Sequence, residues 1–189
     1  MPNEVSYYPQ IQRFIEEQIK SNFAVAAQRP LYVYWGIGEL KSNLQKIIQD
    51  HPIECSCAVN FAKSIAPLNL DIFALITDGK KFEILILEVK LLKSAGLKEW
   101  SQLVGYCLVS GAKYGLLVNI DGGASSRLSE LLLTSRNLSH IVTQLESGQR
   151  EHYLGFMQWD SLTKNFEYTD FGIIKTISEL TDKLVLEFA

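Results

Sequence analysis

The sequence is poor in cysteine, and this excludes several classes of protein. Only three cysteines, Cys55, Cys57 and Cys107, occur in 189 residues. They are too few and too irregularly spaced for a disulfide framework. Cys55 and Cys57 would point to one face of a strand, but no second pair of ligands accompanies them, as a structural zinc site requires. Core packing is the better interpretation of these thiols.

Long apolar segments are also missing. No uninterrupted apolar stretch approaches the roughly 18 residues that can cross a bilayer. The first ten residues, MPNEVSYYPQ, lack the basic region and the apolar core of a signal peptide. No low-complexity run or Pro/Gly-rich linker divides the chain. We therefore expect a cytoplasmic protein with no membrane contact and one compact domain over residues 1–189.

The chain has no surplus of positive charge. Its formal net charge is −3 at pH 7, whereas a protein that binds DNA on its own usually presents a basic surface to the phosphates. Some lysines nevertheless cluster in one part of the sequence: Lys80, Lys81, Lys90, Lys93 and Lys98. They indicate a modest phosphate-binding track, with recognition supplied by another subunit or domain.

Between residues 70 and 106, the sequence predicts a strand, a tight turn, a second strand and a helix. Asp78-Gly79 is a strong hairpin signal, because glycine adopts a positive φ at no steric cost. A two-residue loop would place Asp71 opposite Ile86, and a four-residue loop would place it opposite Glu88. Since side chains alternate between faces, either register puts Asp71 on the same face as Glu88.

The residues beside these carboxylates are apolar on both faces, as in the centre of a covered sheet. Residues 72–76 and 84–87 show this pattern, and Glu88 and Lys90 follow on one face. Isolated charges where a buried sheet ends are costly, whereas a divalent cation between two carboxylates offsets much of that cost. The alternative is that Glu88 and Lys90 only mark where the strand surfaces, with Asp71 capping the other strand.

Asp71, the triplet Glu88-Val89-Lys90 and the helix segment 102–106 together resemble the PD-(D/E)XK nuclease superfamily. The resemblance covers residues 53–120. It departs from the family pattern at Leu70, where proline commonly precedes the aspartate. The resemblance implies an α/β restriction-endonuclease-like core, with a mixed central sheet flanked by helices in the order αβββαβ.

The resemblance places this core near residues 39–120, with an N-terminal helical extension and added C-terminal strands. Periodicity predicts the individual elements. The predicted helices are 8–23, 39–50, 94–110, 128–134 and a last one from residue 177. Outside the hairpin, the predicted strands are 31–35, 53–61, 113–119, 153–159 and 166–177, and residues 36–38 are predicted to form a turn.

The resemblance also implies a metal site. Asp71 and Glu88 would bind one or two Mg²⁺ ions, for which Mn²⁺ can substitute, and the Val89 carbonyl would be a further ligand. Lys90 would orient the attacking water, help to deprotonate it, or neutralise the charge that develops on the phosphate.

Other residues are candidates for supporting roles. Nucleases of this family often carry a metal-site glutamate on the helix before the core sheet, and Glu39 is the choice here, with Glu16 or Glu17 behind it. Alternatively, Glu39 only complements the dipole of its helix. Gln102 and Tyr106 are neighbours on one helix face and would support the active site. Alternatively, Gln102 is a solvated helix residue.

The resulting prediction is a Mg²⁺-dependent DNA endonuclease of restriction type that hydrolyses phosphodiester bonds. A second protein subunit or a homodimer would supply recognition. Two alternatives stay open: a non-catalytic subunit with a nuclease fold that binds protein or DNA, and an unrelated α/β domain in which the motif is accidental.

Overall fold

A computed structural model of the chain describes residues 3–145 and 148–189. The helices are α1 Tyr8–Ala27, α2 Leu40–Asp50, α3 Val59–Ser64, α4 Leu97–Ser110, α5 Ser126–Thr134 and α6 Ile177–Phe188. The strands are β1 Tyr32–Glu39, β2 Asn69–Thr77, β3 Phe82–Lys90, β4 Ser94–Ala95, β5 Tyr114–Ile120, β6 Gly123–Ala124, β7 His140–Leu145, β8 Gly148–Asp160 and β9 Asn165–Gly172. Short 3-10 turns lie at Glu4–Tyr7, Ser56–Ala58 and Arg136–Leu138.

Seven strands form the main sheet, in the order β1-β2-β3-β5-β8-β7 with β9 also paired to β8. The pairings of β1 with β2 and of β2 with β3 are antiparallel, whereas those of β3 with β5 and of β5 with β8 are parallel. The fold is therefore α/β with a mixed central sheet flanked by helices, as predicted at this level. Within residues 3–145 and 148–189, none of the helices combines the length and apolar character that a bilayer crossing requires.

The hairpin of β2 and β3 has the four-residue loop of the two predicted alternatives. Thr77 pairs with Phe82, and the register runs down to Ile72 opposite Leu87, so the next position sets Asp71 opposite Glu88. The Asp78 carboxylate stabilises the loop by accepting the main-chain N–H groups of the two lysines that follow it, at 2.9 and 2.8 Å. The local turn chemistry therefore determines the register of the candidate site.

Helices cover both faces of the sheet. Apolar side chains of α1 and α6 pack on one face, and those of α2, α3, α4 and α5 pack on the other. The central strands are buried on both sides, which explains their continuous apolar runs. α1 contributes Ile11, Ile15 and Ile19 to the hydrophobic core on its face of the sheet. The prediction that the N-terminal helix is only an extension to the folded core is therefore wrong.

The strand predicted over residues 53–61 is wrong. This segment contains the 3-10 turn at Ser56–Ala58 and the start of α3, and Ile53 is 82% exposed. The buried side chains of this segment and of the residue after it are Cys55, Ala58 and Ala62. They are three or four residues apart, which is the spacing of a helix and not the alternation of a strand.

The antiparallel strand that precedes the hairpin is instead β1, at the edge of the main sheet. It continues beyond its predicted end through the glycines that were expected to turn the chain. A Cβ on Gly36 would lie 2.2 Å from a ring carbon of Phe73, so close packing requires glycine there. The register shifts between Gly36 and Gly38, as in a β-bulge. The main sheet therefore begins before residue 39, outside the predicted core.

Candidate active site

Asp71, Glu88 and Lys90 converge where β2 begins and β3 ends. The Lys90 ammonium lies 2.9 Å from Asp71 Oδ2 and 2.6 Å from Glu88 Oε1. Asp71 Oδ2 also accepts the Val89 N–H at 3.0 Å. The structure therefore brings together the two acidic residues and the lysine that the sequence indicated, with the Val89 main chain between the last two.

Glu88 is the most buried member of this group. It is 0% exposed, whereas the side chains of Lys90 and Asp71 retain 18% and 23% of their exposure. Among the described residues, neither carboxylate oxygen of Glu88 has a hydrogen-bond partner, and its contact with Lys90 is an ion pair without hydrogen-bond geometry. Buried carboxylates are normally satisfied, so Glu88 retains capacity for a further cationic ligand.

This environment changes the pKa values of both charged neighbours on β3. Burial raises the pKa of Glu88 to about 7, opposed by its interaction with Lys90 and reinforced by the charges of Asp71 and Glu4. Burial alone would lower the pKa of Lys90, but its close contacts with the Glu88 and Asp71 carboxylates and their negative charges outweigh it, so the net shift is upward. Lys90 is therefore a stable cation at neutral pH.

Two residues at the N-terminal end of α1 extend the site, and sequence reasoning missed both. Tyr8 is 3% exposed, and burial raises the pKa of its phenol, with further contributions from the Asp71, Glu4 and Glu88 carboxylates. Glu4 lies in the 3-10 turn just before Tyr8. The signal was the apolar stripe of α1, which reaches Tyr8 one turn before Ile11 and so directs this end of the helix into the fold.

Glu39 lies at the N-cap of α2, opposite Asn69 in the pairing of β1 with β2 and so two positions from Asp71 along the neighbouring strand. Its carboxylate accepts the N–H groups of Lys41 at 2.9 Å and Ser42 at 2.7 Å, and the hydrogen bonds from Ser42 lower the pKa of Glu39. In the described part of the chain, it forms no hydrogen bond or ion pair with Asp71, Glu88 or Lys90. This geometry is that of a helix N-cap, which also places the carboxylate where it complements the helix dipole, as the alternative prediction for Glu39 stated.

The two other glutamates considered are engaged on the surface of α1. Glu16 accepts the Trp35 indole N–H at 2.9 Å and pairs with Lys20. Glu17 pairs with Arg13. Glu4, which was not among the predicted candidates, is the N-terminal glutamate whose charge contributes to the raised pKa of Glu88.

Gln102 and Tyr106 interact with each other on α4. Gln102 Nε2 donates to the Tyr106 hydroxyl at 2.9 Å, and α4 packs against β3 and β5. Within residues 3–145 and 148–189, neither side chain hydrogen bonds to the Asp71–Glu88–Lys90 group. Their supporting role stays a prediction.

The predicted basic track is wrong at Lys80 and Lys81. Both lie in the loop at the far end of the hairpin, which is separated from Lys90 by a nine-residue strand, or about 30 Å at ~3.3 Å per residue. Lys81 Nζ donates to the carbonyls of Glu187 and Ala189, both at 3.0 Å. Lys80 and Lys81 are close to Lys90 in the sequence, but an extended strand lies between them and places them at its opposite ends.

The described residues contain no group of three or more His, Cys, Asp or Glu side chains arranged to hold a metal ion. The donors that converge here are two carboxylates beside a main-chain segment. Comparison of the chain with protein-family models, curated proteins and solved structures gives no match.

Proposed function

We propose that the chain is a Mg²⁺-dependent DNA endonuclease with a PD-(D/E)XK site and a restriction-endonuclease-like core. The observation that carries the proposal is the convergence of Asp71, Glu88 and Lys90, with the Glu88 carboxylate buried and, among the described residues, in polar contact only with Lys90. The element order also supports the proposal: when α2, α3 and the two-residue β4 are set aside, the series α1-β1-β2-β3-α4-β5 has the order αβββαβ that the resemblance implies.

The donor set suits a hard cation. Asp71 and Glu88 would hold Mg²⁺ or Mn²⁺ with the Val89 carbonyl, and Glu4 is the next carboxylate in electrostatic reach. Oxygen ligands with open positions for water and substrate phosphate are what Mg²⁺ prefers. Bound there, the metal supplies a water of lowered pKa and stabilises negative charge on the phosphate.

The protein's own residues have separate tasks in this scheme. Lys90 presents a fixed positive charge to the scissile phosphate and orients the attacking water, since its raised pKa disfavours a role as general base. The Val89 N–H holds Asp71 in place. Buried Tyr8 excludes solvent from the side of the site formed by α1.

A non-catalytic subunit that binds protein or DNA is the second candidate. It is favoured by the Lys90 ammonium, which already contacts both carboxylates. An unrelated α/β domain accounts less well for a fully buried glutamate without hydrogen bonds.

Asp71→Asn separates the candidates, because it retains the shape of the side chain and removes its charge. The enzyme proposal requires that wild-type protein nicks plasmid DNA with Mg²⁺ and that this variant does not. Equal nicking by both would refute the site.

The net charge of −3 leads us to propose further that a second subunit or a homodimer supplies recognition. Tight sequence-specific binding by the isolated monomer would contradict that part.

A further inference from the structure

Beside the candidate active site, two segments of chain are joined. One leaves β3 and forms β4 before α4, and the other leaves β5 and forms β6 before α5. β4 and β6 pair in parallel with Ala95 opposite Ala124, and the Ser125 N–H donates to the Ala95 carbonyl at 2.8 Å. α4 and α5 therefore begin side by side, at the edge of the sheet where β3 ends.

Asn119 fixes these segments relative to Lys90. It is fully buried, and it lies opposite Lys90 in the pairing of β5 with β3. Its amide donates to the carbonyls of Leu92 at 2.9 Å and Gly123 at 3.1 Å, and its Oδ1 accepts the Leu92 N–H at 3.1 Å. A Cβ on Gly122 would lie 2.0 Å from the Leu92 carbonyl oxygen, so this contact is close-packed.

Three exposed cations lie on these segments: Lys93, Lys98 and Arg127. We call them the basic platform. Lys98 and Arg127 each come three residues after the paired Ala95 and Ala124, so they occupy equivalent positions on neighbouring helices. In the part of the chain that the structure describes, no ion pair involves any of the three.

Acidic side chains lie next to the basic platform. The carboxylate of Glu99, at the start of α4, is directed to the Gly96 N–H at 2.9 Å. At the end of β8, a cavity of about 420 Å³ is lined by Asp121, Asp160 and Glu167. An acidic cavity therefore borders these unpaired cations on the β8 side, and the cations would attract a polyanion.

We propose that the basic platform binds the phosphate backbone of DNA next to the bond that is cleaved. The proposal rests on the nuclease function proposed above. Lys93 follows three residues after Lys90, and Asn119 and the β4–β6 pairing join its segment to the one that leads to Arg127, so the three exposed cations lie on segments held together where β3 ends. Contacts of this kind position DNA without reading its sequence. The acidic end of β8 repels the backbone and directs it across the β3 side.

The test compares two triple variants of the full chain with equal net charge. The platform variant combines Lys93→Gln, Lys98→Gln and Arg127→Gln. The control combines Lys46→Gln, Lys63→Gln and Lys80→Gln, all exposed and, among the described residues, outside any ion pair. Binding to a labelled 20-base-pair duplex is measured over a salt series, with Ca²⁺ present to avoid cleavage, and circular dichroism checks the fold.

The platform variant is expected to bind at least tenfold more weakly than the control at low salt. The slope of log K against log[salt] should shrink by about 2 to 3, since each phosphate contact contributes about 0.9. Equal affinities for the two variants, or no binding by the wild type, would overturn the platform. Plasmid nicking is read separately: loss of binding in the platform variant, beside a wild type that never cleaves, supports the platform and refutes the nuclease.

Discussion

Glu88 and Lys90 lie two positions apart on one face of β3, and Lys90 Nζ is 2.6 Å from Glu88 Oε1. Among the described residues, this cation is the only polar contact of a carboxylate that is fully buried. One ion pair does not replace all the water that a carboxylate loses on burial. We therefore attribute the retention of this charge to the proposed metal site.

Glu88→Gln should consequently stabilise the protein while abolishing cleavage. The pKa of Glu88 is raised to about 7 in the fold, so the stability that this group contributes is present below about 4.5, its unfolded value, and is lost as pH rises through 7. Because the pKa of Glu88 rises from 4.5 to about 7 on folding, the free energy of unfolding of the variant should exceed that of wild type by about 3 kcal/mol at pH 8 and by about 1 kcal/mol at pH 5. Urea unfolding at both pH values measures this, and a loss of stability at pH 8 would contradict it.

Metal affinity should depend on pH because the Glu88 carboxylate must lose its proton to bind a cation. Binding of Mn²⁺, followed by calorimetry, should strengthen from pH 6 to about 8 and then level off. Glu83 is a matched control on the same strand, since burial also raises its pKa to about 7. Glu83→Gln should preserve the pH profile, and a profile of the wild type that is flat from pH 6 to 8 would contradict the assignment.

Glu4 and Glu39 should respond differently to substitution. Glu4→Gln removes the carboxylate that acts on Glu88, so we expect weaker Mn²⁺ binding by several-fold with an unchanged fold. Glu39→Ala removes the cap of α2 and should cost about 0.5–2 kcal/mol of stability, while Mn²⁺ affinity is retained. The reverse pattern in calorimetry and thermal melting would restore Glu39 to the site.

Asn119→Leu tests the link between the platform and the site. The substitution removes three hydrogen bonds and leaves main-chain groups of Leu92 unpaired, so unfolding should become easier by about 1–3 kcal/mol. DNA affinity should fall as well, because Lys93 is no longer held beside α4. Thermal melting and duplex binding measure the two effects. Weaker stability with full DNA affinity would show that Asn119 serves the fold alone.

Local signals predicted the central part of this fold well. The Asp78-Gly79 turn and the apolar runs on either side predicted the hairpin, and the next apolar strand after α4 predicted the parallel pairing of β5. The convergence of Asp71 with Glu88 and Lys90 followed from this register, because strand pairing transmits a local turn over nine residues.

The features that were not predicted from the sequence depend on packing between distant parts of the chain. β1 joins the sheet through glycines that read as a turn, since the Phe73 ring occupies the space beside Gly36. The edge strand β7 went unpredicted. Glu4 and Tyr8 reach the site only because α1 lies across the sheet, and no spacing in the sequence relates them to Glu88.

Nicking of supercoiled plasmid by the full chain tests whether Asp71, Glu88 and Lys90 form a metal-dependent nuclease site. Wild-type protein, Lys90→Ala and the control Lys80→Ala are compared with Mg²⁺, with Mn²⁺ and with chelator. The account predicts metal-dependent nicking by the wild type and the control, and loss of at least a hundredfold in rate for Lys90→Ala, about 2.7 kcal/mol of transition-state stabilisation. Equal nicking by Lys90→Ala, or none by any protein with either metal, would contradict it.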